Sequence, residues 1–459
     1  MDEARWDLLE TLLRRRGVLP AAAIAAELGV SQPTVSRLLT QAGERVVRIG
    51  RARAARYALA HEIARLGSHW ALYRIDAQAR PERIGELHAL HGDGFFFAPD
   101  GERPALTHGD FASGLYPGLP WFLDDQRPQG FLGRAFARRV AAEIGASDDI
   151  LLWRGDDVVL AMLRHGDDLS GDLVLGEVSL QRALQSILDP QGTLPLDDRV
   201  ARYPPLAEAA LRGEAVGSSA GGEQPKFAIT LRSEEGFVPV IVKFSDQLET
   251  PAGRRWADLL IAEHHAGAVL REHGLPAADS TIVEAGGRVF LQSTRFDRTP
   301  SLGRRGLVSL AALDAAHYGH GRVAWLSFAA QLHRDGWLDA DDARRLRLFH
   351  WYGTLIGNSD MHLGNASLHL RDALPLPLAP AYDMLPMRFR PAVNGEIVER
   401  RYEIALPAPE QASDWRAAAP MAREFWRRVA GEARISNAFR AIAEDADATI
   451  ARAQAHFAA

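Results

Sequence analysis

The chain has 459 residues, of which 47% are hydrophobic and 24% charged, values typical of a globular protein and unlike those of a disordered chain. It has no cysteine, which excludes disulfides, thiol nucleophiles and cysteine-ligated zinc or iron–sulfur sites. At roughly 150 residues per domain, the length predicts about three domains. The sequence has no apolar run long enough to cross a bilayer and no signal-peptide core, so we expect a cytoplasmic protein without a membrane partner.

Charge is distributed unevenly along the chain. The first 60 residues hold ten arginines against six acidic residues, a net charge of +4, whereas the whole chain carries −6. The remaining 399 residues therefore carry −10. Such a split indicates a small nucleic-acid-binding segment attached to an acidic body.

The first 60 residues have the pattern of a winged helix-turn-helix. Apolar spacing predicts helices over 2–16 and about 20–28, followed by a third helix that Ser31 caps. The tight turn between the second and third helices is typical of helix-turn-helix proteins. Two short alternating segments, VVRIG and ARYALA, then predict a hairpin that forms a basic wing.

We expect the third helix to enter the major groove of DNA and the wing to contact phosphates. The side chains expected to face DNA are Gln32, Thr34, Ser36 and Arg37 on the helix and Arg48, Arg51, Arg53 and Arg56 on the wing. Because such domains usually read two half-sites, a homodimer is compatible with this pattern. The alternative is a helical hairpin used only for dimerisation.

Residues 61–210 alternate apolar runs with Gly- and Pro-rich turns and predict only a mixed α/β domain. Histidines in this stretch include His88, His91, His108 and His165. They are too scattered to indicate a metal site, so the sequence assigns this stretch no chemistry.

Only two of the 53 basic residues are lysines, Lys226 and Lys243. In a chain that otherwise uses arginine, they are candidates for positions that require a compact ammonium group, the alternative being chance. Both flank a predicted hairpin with strands over 227–231 and 238–244. The rare ammonium groups therefore lie at the end of a rigid pair of strands.

The segment GSSAGGEQPK (217–226) immediately precedes this hairpin. Backbone N–H groups of a glycine-rich loop can converge on an anion, and hydroxyl groups add further donors. The loop residues expected at the phosphates are Ser218, Ser219, Gly221 and Gly222. The segment is not a Walker motif, and a mobile turn is the alternative interpretation.

A helix over 256–273 follows the second lysine and contains Glu263. Protein kinases place a glutamate that pairs with the ATP-binding lysine on such a helix, although an exposed helix glutamate is an equal alternative. The segment STIVEAGGRVFLQSTRF then predicts a second hairpin. The end of this hairpin, from Gln292 to Phe296, would form a hinge between two lobes. Backbone groups of this hinge would meet an adenine.

The strongest motif is GNSDMHLGN (357–365), which follows a predicted helix over about 341–356. Asp360 and Asn365 have the spacing of the aspartate and asparagine in the kinase catalytic loop. Asp383, in LAPAYDM, would supply a second oxygen ligand for magnesium. A turn-capping role is the alternative for each residue alone.

These motifs resemble the HipA-like serine/threonine kinases, the toxins of bacterial toxin–antitoxin modules, and in particular their YjjJ-type branch with a fused helix-turn-helix. The resemblance covers about residues 90–440. The residues that carry it are SAGGEQPK (219–226), VIVKF (240–244), STRFDR (293–298), GNSDMHLGN (357–365) and APAYDM (379–384).

The resemblance implies a role for each matching residue. Ser219 would be an autophosphorylated loop serine whose modification inactivates the kinase. Lys243 would hold the ATP phosphates, Asp360 would be the catalytic aspartate, and Asn365 with Asp383 would bind Mg²⁺. His362 would brace the catalytic loop. A basic residue found before the asparagine in several relatives is replaced here by Gly364.

The resemblance also implies partners: a protein substrate, in known cases an aminoacyl-tRNA synthetase, and a HipB-type antitoxin. The fused helix-turn-helix would replace or supplement the DNA binding of that antitoxin. Two other interpretations stay open at this point. The kinase-like body could only sense a nucleotide in a transcriptional regulator, or the protein could be a small-molecule kinase.

The sequence thus predicts an α+β protein with a two-lobed, protein-kinase-like core of HipA type and an N-terminal winged helix-turn-helix. The expected boundaries are 1–60 for the winged helix, 61–296 for the N-terminal lobe and 297–459 for the helical C-terminal lobe.

Overall fold

The structure, a computed structural model, describes residues 3–214 and 222–458. The helices are α1 (Glu3–Arg16), α2 (Ala21–Leu28), α3 (Gln32–Ala42), α4 (Trp121–Asp124), α5 (Gly130–Ile144), α6 (Gly155–His165), α7 (Glu177–Leu188), α8 (Arg199–Leu211), α9 (Pro251–Glu272), α10 (Leu310–His317), α11 (Trp325–Arg334), α12 (Ala340–Leu355), α13 (Ala412–Gly431) and α14 (Asn437–Ala458). Within the described ranges, none of these helices is long and apolar enough to cross a membrane.

The strands form four sheets in the described chain. They are β1 (Leu19–Pro20), β2 (Val46–Ile49), β3 (Arg56–Leu59), β4 (His69–Ile75), β5 (Pro81–Ala89), β6 (Phe95–Pro99), β7 (Leu115–Tyr116), β8 (Leu173–Leu175), β9 (Leu194–Pro195), β10 (Lys226–Ser233), β11 (Gly236–Phe244), β12 (Ser280–Ala285), β13 (Arg288–Thr294), β14 (Val308–Ser309) and β15 (Ser367–Leu368). Helices and antiparallel sheets are thus combined, as the α+β prediction requires.

The N-terminal segment is a winged helix-turn-helix. Ser31 caps α3 by accepting a hydrogen bond from the backbone N–H of Thr34, and Trp6, Leu9 and Val35 are buried between α1, α2 and α3. Its sheet has the order β1-β3-β2. Strand β1 was not predicted because two residues are too short to show alternation.

The wing packs on the sheet that follows it. Val47 and Ile49 point from β2 into an apolar cluster with Leu90 and Phe96. Backbone hydrogen bonds extend this contact, with the N–H of His91 donating to Leu59 O at 2.9 Å. On the opposite face of β2, Val46 packs on the helical core and Arg48 is exposed to solvent.

Residues 61–214, called here the middle region, contain a five-stranded antiparallel sheet in the order β7-β6-β5-β4-β8 together with α4–α8. The buried residues of this sheet, such as Leu72 and Phe97, belong to one continuous apolar core with buried residues of α12 and α13, such as Tyr352 and Trp415. The middle region therefore shares a core with the C-terminal helices, and its direct contact is with α10, where Trp121 of α4 lies against His317.

A second five-stranded sheet has the order β12-β13-β11-β10-β9. One face of it is apolar and is covered by α8, with Tyr203 of α8 against Phe227 and Phe290. In β10 and β11, Lys226 pairs with Lys243. Directly paired residues of antiparallel strands point to the same face, so both lysines lie on the face opposite the apolar cluster.

Candidate active site

Lys243, at the end of β11, joins three elements of the fold. Its Nζ donates to Glu263 Oε1 on α9 at 2.6 Å and to Asp383 Oδ1 in the loop after β15. The lysine is only 6% exposed. Burial by itself lowers the pKa of Lys243, but the two carboxylates outweigh this effect and raise that pKa above its ordinary value. Lys243 is therefore a permanently charged cation at this position.

The two carboxylates differ in their environments. Burial raises the pKa of Glu263, against the attraction of Lys243, and its Oε2 is buried without a hydrogen-bond partner among the described residues. For Asp383, burial acts in the same direction, but Lys243 and Lys226 outweigh it and hold the pKa below its usual value. Asp383 also has a φ of +54°, a backbone conformation that aspartate tolerates better than most residues. It is thus the ionised, ligand-like carboxylate of the pair.

Lys226 lies beside Lys243 and is 3% exposed. Burial, only partly offset by Asp383 and reinforced by the charge of Lys243, lowers the pKa of Lys226 to about 8. Gly222 borders the same ammonium group, because a Cβ at position 222 would lie 2.8 Å from Lys226 Nζ. The φ of Gly222 is +92°, a conformation that favours glycine. A side chain at position 222 would therefore displace the lysine.

The loop after α12 is held by two asparagines. Asn358 Oδ1 accepts from the N–H of Asp360 at 3.0 Å, and its Nδ2 donates to the carbonyl of Asp383 at 3.1 Å. Asn365 Nδ2 donates to the carbonyl of Asp360 at 2.8 Å. The positions of Asp360, Asn365 and Asp383 are consequently coupled through backbone groups.

Two further side chains brace this loop. His362 Nδ1 accepts from the N–H of Gly364 at 3.1 Å, and its carbonyl accepts from Trp325 Nε1. Tyr382, next to Asp383, donates its hydroxyl to the carbonyl of Gly364 at 2.8 Å. The loop conformation is thus fixed from both sides.

These groups surround a cavity of about 240 Å³, called here the first cavity. Besides residues of the sheet and of the C-terminal loops, it is lined by Asp125, Gln129 and Ser170 of the middle region. Asp125 accepts hydrogen bonds from the N–H and hydroxyl of Ser309, and burial raises its pKa. The cavity therefore has three walls, of which the middle region provides one.

Comparison with known proteins places this arrangement in a family. The middle domain of YjjJ-like toxins matches residues 66–184, the HipA-like C-terminal domain matches 218–453, and the IclR helix-turn-helix domain matches 6–41. Toxin YjjJ of Escherichia coli (strain K12) is 36% identical over 440 residues, 96% of each chain. The chain belongs to the YjjJ-like, HipA-type toxin family.

A solved structure agrees with this fold. HipA of Shewanella oneidensis MR-1, determined with HipB and its operator DNA, matches with a TM-score of 0.52 and 16% identity, covering 83% of this chain and 97% of that chain. The Helicobacter pylori proinflammatory kinase CtkA matches with a TM-score of 0.36 at 12% identity over 52% of this chain and 93% of that chain, too low to carry an argument. This YjjJ-like chain is a HipA-like toxin with a two-lobed, kinase-like fold and an N-terminal helix-turn-helix.

Most of the residues that the sequence singled out meet in this YjjJ-like fold. The first cavity is lined by Gly222, Lys226, Lys243, Glu263, Phe296, His362, Asn365 and Asp383. Asp360 is partly exposed on the loop that contributes His362 and Asn365. Ser218, Ser219 and Gly221 lie outside the described residues.

The backbone of the hinge segment, which we expected to meet an adenine, is partly engaged within the protein. The side chain of Gln292 lies on the apolar face of the sheet, where its Oε1 accepts from Tyr203 and Arg199. The backbone N–H groups of Thr294 and Arg295 already donate to Asp279 O and Pro239 O. Gln292 is also paired within the sheet on both sides, with Val242 of β11 and Thr281 of β12.

Sequence reasoning missed three residues of the site. Asn358 lies inside the motif GNSDMHLGN, and its position two residues before Asp360 was a usable signal. Tyr382 precedes Asp383 and was detectable in the same way. Asp125 had no such signal, because nothing in the spacing of LDDQRP connects it with residues more than 100 positions away.

Gly364 departs from the basic residue found in some members of the family. A Cβ at this position would lie 3.0 Å from the His362 ring. A side chain at position 364 would require the His362 ring to move. Glycine at this position therefore leaves room for the observed conformation of His362.

Asn365 and Asp383 fit a magnesium ion. Because Asn365 Nδ2 is engaged by Asp360 O, its side-chain oxygen is the atom left for a ligand. No group of three or more His, Asp or Glu that could hold a metal occurs in the described part of the chain. One carboxylate and one amide oxygen suit Mg²⁺, which retains waters and takes its remaining ligands from phosphates.

The residues expected to contact DNA are largely accessible. Gln32, Ser36 and Arg37 are exposed on α3, and Arg48 and Arg51 are exposed on the wing. Thr34 is partly buried, with its hydroxyl 3.0 Å from Ser31 Oγ, and Arg56 is partly buried. The side chain of Arg53 lies outside the described set.

We expect the two lysines to titrate very differently. With selectively ¹³Cε-labelled lysine, the NMR resonance of Lys226 should titrate with a midpoint near pH 8, because burial and Lys243 disfavour its charge. The resonance of Lys243 should not shift in this range, because Glu263 and Asp383 stabilise the charge of its ammonium group and keep it protonated. The chain has only these two lysines, so a Lys226→Arg variant should lose the titrating signal. Two resonances that both titrate near 10.5, the ordinary value, would contradict the electrostatic description.

Proposed function

We propose that the protein is an ATP- and magnesium-dependent serine/threonine protein kinase. The observation that carries the proposal is the contact of Lys243 with both Glu263 and Asp383 at a cavity that Asn365 also lines. A lysine on the sheet, a glutamate on the following helix and an aspartate and asparagine from the other lobe are the set that kinases use around a nucleoside triphosphate. The family membership supports the same conclusion.

Each residue has a role that follows from its chemistry. Lys243 binds phosphate oxygens with a charge that its two acidic neighbours keep in place, and Glu263 positions it. Lys226 offers a second ammonium group, which is charged below about pH 8. Asp360 positions the acceptor hydroxyl and takes its proton. When bound by Asn365 and Asp383, Mg²⁺ neutralises negative charge on the phosphates.

The acceptors are proposed from the family resemblance. They are a hydroxyl of another protein, such as an aminoacyl-tRNA synthetase, and Ser219 of the glycine-rich segment. The related HipA was solved with HipB and operator DNA. We extend this to a HipB-type antitoxin as a partner here, with DNA bound through α3 and the wing of the fused helix-turn-helix.

Phosphate transfer tests the kinase proposal. Asp360→Ala should lower transfer from γ-labelled ATP to cell-lysate proteins or to Ser219 by at least about 100-fold, because the acceptor hydroxyl loses its base. Ser359→Ala changes an exposed neighbour and should retain the wild-type rate. Mass spectrometry identifies the modified residues.

Three results would count against this proposal. ATP binding without transfer indicates a nucleotide sensor, and transfer only to a small metabolite indicates a small-molecule kinase. An unchanged rate in the folded Asp360→Ala variant would remove Asp360 from the mechanism.

DNA binding is tested by its salt dependence. Because Arg48 and Arg51 are exposed on the wing, the double change to alanine in the full chain should reduce the slope of log K against log salt by about 2, the value for two lost phosphate contacts. Arg15→Ala, on the exposed face of α1, should leave the slope unchanged. Equal slopes in fluorescence anisotropy for the wild type and the double variant would contradict the wing assignment.

A further inference from the structure

A second cavity, of about 650 Å³, lies between the middle region and the sheet that carries the lysines. It is on the same face of β10 and β11 as the first cavity but further along the strands, where Ala228, Thr230 and Pro239 point into it. Helices α5 and α7 form the opposite wall. Its volume is in the range of about 300–1,000 Å³ that small-molecule sites occupy.

Three buried arginines form the floor of the second cavity. Arg295, Arg298 and Arg304 are each less than a tenth exposed. Asp297 and Asp168 accept hydrogen bonds from both Arg295 and Arg298. Two carboxylates thus satisfy two guanidinium groups, and the third has no carboxylate in hydrogen-bond contact with it among the described residues.

Arg304 is the third guanidinium and lines the cavity. It is 5% exposed, and its Nη2 donates to the backbone carbonyl of Asp167. Its Nη1 is buried and has no hydrogen-bond partner in the described parts of the chain. A buried donor without an acceptor costs free energy, so a ligand that supplies an acceptor here would bind favourably.

Burial, together with repulsion from Arg298 and Arg295 that Asp168 and Asp297 offset only partly, lowers the pKa of Arg304 to about 9. The guanidinium is therefore charged at neutral pH but is held in surroundings that disfavour the charge. An anion in the cavity would reverse this imbalance.

The rim adds two more arginines. Arg139 on α5 and Arg182 on α7 are exposed and line the opening, with Asp167 as the nearby acidic group. One wall of the cavity is apolar and includes Ala228 and Pro239. Guanidinium groups beside an apolar wall suit a ligand with an anionic head and a less polar body.

A purely structural role explains only part of this arrangement. Arg295 and Arg298 tie the hinge segment to the middle region through Asp168, which accounts for both of them. That role leaves the Nη1 of Arg304 without an acceptor among the described residues. At the rim, Arg182 donates to the carbonyl of Arg164 and Arg139 lies over the Phe136 ring, and both guanidinium groups keep further N–H donors for a ligand. The structural role also leaves unexplained why the cavity is open rather than filled by side chains.

We propose that the second cavity binds a small phosphorylated molecule. Its phosphate accepts hydrogen bonds from Arg304 and from the rim arginines, and its less polar body lies against Ala228 and Pro239. This site is separate from the transfer site and does not depend on the proposed kinase activity.

The test uses phenyl phosphate as the probe, with isothermal titration calorimetry on the full chain. We expect the wild type to bind phenyl phosphate and not phenol, because the phosphate provides the acceptor. Arg304→Gln and Arg182→Gln should each weaken binding by about tenfold or more, the effect of losing a charge-assisted hydrogen bond. Arg344→Gln, an exposed change on α12, which contributes no residue to the lining of this cavity, should bind like the wild type.

The Arg182→Gln variant separates loss of binding from loss of folding. Arg182 is exposed, so this change should leave the melting temperature of the protein unchanged. Absence of binding to the wild type would overturn the proposal. Equal affinity in the wild type and Arg182→Gln would overturn it too, because the probe would then be bound elsewhere. Neither result depends on phosphate transfer from ATP, so this proposal and the kinase proposal fail separately.

Discussion

Three elements of the fold meet at the charged side chain of Lys243. This ammonium group is buried, and it stays charged because a glutamate on α9 and an aspartate from the C-terminal lobe both contact it. The desolvation of such a charge is unfavourable unless its partners are held in place. Strand β11, helix α9 and the loop at Asp383 must therefore keep their relative positions, and this constraint brings the two lobes to one cavity.

The middle region completes the site, although its sequence shows no motif. The N–H of Phe131, in the first turn of α5, donates to the carbonyl of Gly222, and Arg134 forms two hydrogen bonds with Glu223. Asp125 reaches into the first cavity from the same region. The end of the glycine-rich segment is thus attached to a helix, so changes in the middle region would be transmitted to the lysines.

Sequence reasoning succeeded where residues act through local patterns. The cap at Ser31 and the hairpin that carries Lys226 and Lys243 both depend on short segments. It was less informative where contacts join distant segments, as for Asp125. For Gln292, the motif gave the correct strand, but only strand pairing decides which face its side chain occupies, and that face is the apolar one.

The central claim is that Lys243, Asn365 and Asp383 act on one nucleotide. The most direct measurement is a crystal structure of the full chain with magnesium and a non-hydrolysable ATP analogue. The account predicts a metal ion bound by the side-chain oxygens of Asn365 and Asp383, with Lys243 Nζ on a phosphate oxygen. Analogue density outside the first cavity, or a metal ion that these two residues do not touch, would contradict it.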